Sequence, residues 1–93
     1  MRLATCISLA KAILVHEQGR ADAQYNLGVM YADGLGVPQD YVRAHMWWNL
    51  AASTGEEVAI ENRDIVAKKM SSEQIAEAQK LARECVAKNY KGC

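Results

Sequence analysis

The sequence contains no phenylalanine, a single proline (Pro38) and only six glycines in 93 residues. That is too little turn chemistry for a protein of many short strands, whereas Ala, Leu, Glu, Gln and Lys, all good helix formers, are frequent. No charge of one sign prevails: eleven Lys plus Arg balance eleven Asp plus Glu. Without a basic surplus there is little to displace counterions from a nucleic acid or to hold an anionic membrane, so both partners are disfavoured. Histidine is scarce. His16 is followed by Glu17 but lacks the second histidine of a metalloprotease helix, and His45 has no Cys or His at ligand spacing. Neither supports a catalytic or metal site, and no cofactor motif is present. His45 is expected on the surface of its helix and His16 at a helix end, near the carbonyl dipoles.

The longest apolar stretch is the start, up to Val15, and it is interrupted by Lys11. It is too short to span a bilayer. As a signal peptide it offers one Arg, an apolar run of about eight residues and an Ala-Lys-Ala that imitates a cleavage site. The recurrence of Arg2, Thr5, Ser8 and Lys11 every three positions favours a helix with one narrow wet stripe and neighbours on its other faces. A cytoplasmic location is slightly favoured over the periplasm or secretion.

What the sequence does contain is five helical segments, over about 3–18, 21–33, 41–53, 56–70 and 72–88. Gly34 and Gly36 give the backbone freedom to leave the second. Asp40 is placed to cap the third, and Pro38 keeps that helix from starting earlier. Gly55 closes it. Ser71 and Gln74 form a capping box for a helix from Ser72, with Met70 and Ile75 at the positions of a hydrophobic staple. Asp64 and Lys68, and Glu84 and Lys88, are spaced as solvated i,i+4 pairs.

The chain also repeats itself. A shift of 36 lays Gly19 on Gly55, Ala23 on Ala59, Asn26 on Asn62 and Val29 on Ile65. Beyond a loop two residues shorter, a shift of 34 lays Ala44 on Ala78, Trp47 on Leu81, Ala51 on Cys85 and Gly55 on Asn89. Asn is the next best residue after Gly for a left-handed cap. The reading is about two and a half helix-pair units in one domain, 1–93: a decayed N-terminal helix over 1–19, a complete repeat over 20–55 and a degenerate capping repeat over 56–93. Helix packing explains two of its features. Gly28 costs about 1 kcal/mol in a helix interior, which suggests close approach of Ala44 and Ala51 on the next helix. Trp47 would fill the space beside that crossing. Trp48, about 100° round the helix, either packs on the next unit or stays partly exposed as an anchor for a partner.

The matched positions Ala23, Leu27, Gly28, Tyr31, Gly34, Gly36, Val37, Pro38, Asp40, Ala44, Trp47, Ala51, Ala52 and Gly55 closely resemble one unit of the Sel-one-like repeat family. These are relatives of the tetratricopeptide repeats. The resemblance implies an all-α, right-handed α/α superhelical solenoid of about five antiparallel helices. It also implies adaptor or scaffold roles in bacterial protein complexes, with no catalytic residues to carry over.

First helices of such solenoids line the concave face, which makes Tyr25, Asn26, Val29, Asp33, Asn62 and Ile65, with Trp48, the candidate contacts for a peptide or protein segment. A merely solvated face is the plain alternative. Cysteine-rich relatives have been linked to hydrolysis of cell-wall or lactam substrates, but the missing nucleophile and base argue against an enzyme here. Cys85 reads either as a small buried hydrophobe in place of a core Ala or as half of a disulfide with Cys93 across a bend at Asn89 or Gly92; Cys6 stays without a role. A further alternative is structural: the apolar first segment, through Leu3, Ile7, Ala10 and Leu14, would pair two copies into a homo-oligomer, or the chain would be a fragment of a longer array.

Overall fold

The computed structural model describes residues 21–93, which form four helices: α1 (Ala21–Asp33), α2 (Tyr41–Ala52), α3 (Glu57–Ala67) and α4 (Ser72–Ala87). The expected first segment lies outside the described residues, and with it Leu3, Cys6, Ile7, Ala10, Leu14 and His16.

The boundaries follow from local chemistry. α1 ends at Asp33 because Gly34 and Gly36 turn left-handed, with φ of 70° and 78°, and the Leu35 N–H returns to the Met30 carbonyl at 2.8 Å. Asp40 then caps α2, its carboxylate accepting from the Arg43 N–H at 3.2 Å. Past α2 the chain reverses through Gly55, at φ 90°, whose N–H donates to the Ala52 carbonyl. At α4 the capping box is complete: the Gln74 N–H donates to Ser71 Oγ, and the Ser71 N–H to Gln74 Oε1.

The far end of α4 closes with paired bonds from Asn89 N–H to the Val86 carbonyl and from Tyr90 N–H to the Cys85 carbonyl. This is the Schellman arrangement, and Asn89 takes the left-handed conformation that Gly55 takes one repeat earlier. Tyr90 is also left-handed, at φ 65°. Nothing in the residue pattern marks that second left-handed position.

Helix α2 is the centre of the molecule, and α1, α3 and α4 each pack against it. Its adjacent tryptophans serve two different cores because consecutive helical residues point about 100° apart. Trp47, with Met46 and Leu50, joins Leu27 and Met30 of α1 and Ala82 and Cys85 of α4. Trp48, with Ala44 and Ala51, joins Ala59 and Val66 of α3, and half-buried Tyr25 and Val29 of α1 pack on the same cluster.

This arrangement corrects the expected crossing at Gly28. The group against Gly28 is the Trp48 indole, since a Cβ there would lie 2.5 Å from Cδ1 and 2.7 Å from Cε2. Ala44 and Ala51 instead sit in one cluster with Ala59 of α3, small residue against small residue. His45 is corrected too: it is buried, at 4% exposure, not a surface residue. Asp64 pairs with its neighbour Arg63, Oδ1 to Nε at 3.2 Å, where the i,i+4 spacing had suggested Lys68.

Candidate partner-binding cleft

The side of the molecule shared by α1, α2 and α3 holds a cleft of about 130 Å³, lined by Ala32, Asp33, Tyr41, Trp48, Asn62, Ile65, Val66 and Lys69. Four of the seven residues singled out from sequence, Asp33, Trp48, Asn62 and Ile65, therefore line one cleft. The other three lie alongside on α1: Tyr25 and Val29 are half-buried against the Trp48 cluster, and Asn26 is half-buried.

Each lining group is held by something definite. Trp48 is 5% exposed and its Nε1–H donates to the Tyr25 carbonyl at 3.1 Å, so it lines the cleft as fixed core and does not stand out as an anchor. Its ring lies tilted at 34° to that of Tyr25, centroids 6.4 Å apart. Asn62 Nδ2 donates to the Tyr25 hydroxyl at 3.2 Å, tying α3 to α1. Lys69 Nζ stands 5.8 Å from the centroid of the Tyr41 ring, within cation–π range. Ile65, by contrast, is 56% exposed at the cleft.

Tyr41 and Lys69 were missed from sequence. Lys69 follows Ile65 by one helical turn, and that spacing was the available sign; Tyr41 arrives only because α2 begins beside the end of α3.

The chemistry of the cleft is that of a contact surface. It offers an apolar side chain, an aromatic floor and a few polar groups, with no nucleophile beside a base. Among the described residues no group of three or more His, Cys, Asp or Glu is placed to hold a metal ion, and no helix is long and apolar enough to cross a membrane.

His45 and Cys85 lie elsewhere. His45 Nδ1 is buried without a hydrogen-bond partner, and burial, reinforced by the positive charge of Arg63 and opposed by Asp64, holds its pKa below the usual histidine value. Cys85 is joined to Cys93 by a disulfide, with Cα atoms 5.6 Å apart.

Comparison with known proteins agrees with this architecture. Residues 21–55 match the Sel1 repeat family. Among solved structures, the chain is similar to the crystal structure of c5321, a protective antigen present in uropathogenic Escherichia coli strains that displays an SLR fold. The TM-score is 0.73 at 34% identity, over 80% of this chain and 17% of that one. The chain thus spans about a sixth of that protein's length. A search of curated proteins gives no match. Sel1 repeats are generally protein–protein interaction modules and typically not enzymes. Residues 21–55 are a Sel1 repeat, and the described residues have the all-α solenoid fold of the SLR structure that the chain is similar to.

Proposed function

We propose that the module is a non-catalytic adaptor or scaffold element that docks a segment of a partner protein in the cleft between α1 and α3. The observation that carries this reading is Ile65. More than half of its surface faces solvent beside a cleft whose floor, Trp48, is fixed. Covering the exposed half of this side chain contributes roughly 1–1.5 kcal/mol, a modest anchor to which the apolar surface around it adds. Asn62, Asp33 and Lys69 around it supply the few polar groups that orient a bound chain.

Selection of a displayed peptide library on the intact chain tests the proposal. Binders should lose at least tenfold in affinity on Ile65→Asp and stay unaffected by Val86→Asp, which alters a comparably exposed apolar residue on α4. Equal losses at the two positions, or none, would remove the cleft from consideration. Pairing of two copies through residues 3–14 is a separate proposal, read by light scattering with Ile7→Glu and Leu14→Glu. A monomer at tens of micromolar, unaltered by those changes, ends it.

A further inference from the structure

Cys85 and Cys93 differ in their surroundings. Cys85 is 1% exposed within the apolar cluster shared by α1, α2 and α4, whereas Cys93 is only half-buried, packed on the edge of that cluster. Between them the backbone adopts the left-handed conformation at Asn89, Tyr90 and Gly92. Asn and Gly tolerate it, but a bulky residue such as Tyr does so only when its surroundings impose it.

Several contacts hold this bend. Tyr90 packs on the cluster and donates to the Cys85 carbonyl at 2.9 Å, and Lys91 N–H turns back to the Lys88 carbonyl. Arg43 Nη1 reaches the Cys93 carbonyl only at 3.5 Å, the outer limit of a hydrogen bond. The covalent bond is the strongest tie holding residues 91–93 in place.

We propose that Cys85–Cys93 is a thiol-exchange latch, opened at Cys93 by a small thiol, that controls whether residues 89–93 cover the apolar cluster between α2 and α4. A thiolate attacks Cys93 Sγ, the more accessible sulfur, forming a mixed disulfide there while the S–S electron pair leaves with Cys85 Sγ. In its apolar site that sulfur takes up a proton and becomes a neutral thiol. A second thiol then displaces the first from Cys93 as the small-molecule disulfide, leaving two thiols in the protein and one oxidised pair in solution. With the bond open, we expect the packing and the backbone bond of Tyr90 no longer to suffice for holding its left-handed conformation. The segment swings away and uncovers Cys85, Ala82 and half-buried Leu81, while α4 keeps its capping box at the other end.

The test uses the full chain carrying Cys6→Ser, so that only these two sulfurs report. Limited exposure to glutathione followed by peptide mapping should place the mixed disulfide on Cys93 at least tenfold more often than on Cys85. Full reduction with dithiothreitol should speed amide hydrogen exchange at Tyr90 and Lys91 by at least tenfold while α1, α2 and α3 keep their protection. Cys93→Ser should reproduce that pattern without reductant. Capture on Cys85, unchanged exchange at Tyr90, or loss of protection in all four helices would each overturn the proposal, the last because the bond would then support the whole fold.

Discussion

The Trp48 indole occupies the space that a side chain on Gly28 would need, and its Nε1–H donates to the Tyr25 carbonyl one turn earlier on α1. Glycine at position 28 is therefore a condition for the ring's position and for the close approach of α1 to α2. In an open helix Gly→Ala would gain about 1 kcal/mol. Here the contact reverses the sign, because a rigid indole cannot yield as the end of a flexible chain would. Gly28→Ala should destabilise the module by about 1–3 kcal/mol and Gly28→Leu should prevent folding. Urea midpoints measure the first and circular dichroism the second. Pairing Gly28→Ala with Trp48→Leu should recover part of the loss, and an unaltered midpoint for Gly28→Ala alone would refute the contact.

The start of α4 depends on a reciprocal pair of short hydrogen bonds between Ser71 and Gln74. Ser71→Ala leaves the Gln74 N–H to water and should cost about 0.5–2 kcal/mol. Gln74→Ala, which keeps the serine's own bond, should cost less. Thermal melts of the two variants decide the order.

These two sites show where sequence was informative and where it was not. The capping box is encoded within four consecutive residues, so its geometry was legible before any packing was known. The helix end at Gly34, the Asp40 cap and the equivalence of Gly55 with Asn89 were legible for the same reason: each is a local backbone requirement. The partner of Gly28 is a different kind of fact. A glycine in a helix announces close approach without naming what approaches, and either the alanines or the second tryptophan satisfied the spacing. The error at His45 has a similar origin. It sits on the same helix as two tryptophans and three alanines, and α2 turned out to have neighbours on three sides, so a position that would be exposed on an outer helix was covered. The cleft was half legible, because repeat alignment made Asn62 and Ile65 the counterparts of Asn26 and Val29 on the concave face, while Tyr41 and Lys69 were placed only by how α2 and α3 meet.

The hydrogen bond from Asn62 to the Tyr25 hydroxyl crosses from α3 to α1 beside the cleft. Because the pair is only partly buried, its net contribution is about 0.5–1.5 kcal/mol. Asn62→Ala and Tyr25→Phe should each destabilise within that range, and the double variant should cost little more than either alone. A double-mutant cycle on denaturant midpoints yields the coupling directly. Strict additivity would mean that the two groups do not meet in solution.

His45 gives the module a pH dependence whose sign follows from its surroundings. Burial first, and then the charge of Arg63, disfavour the imidazolium in the folded state, while Asp64 pulls weakly the other way, so the folded pKa lies below 6.5. In the unfolded chain the ring titrates near its ordinary value. Between those two values the unfolded state binds more protons than the folded one, and stability rises with pH. The histidine's neutral form therefore imposes no penalty above about pH 7, and stability falls as pH drops through 6.5 toward the lowered folded value. His45→Gln removes that dependence while keeping a polar group of similar size. Urea midpoints at pH 7.5 and pH 5.5 should fall for the parent and stay closer together for the variant, with the carboxylates common to both cancelling in the difference. Identical pH profiles would show that His45 is solvated in solution and that the cover seen over its ring is absent.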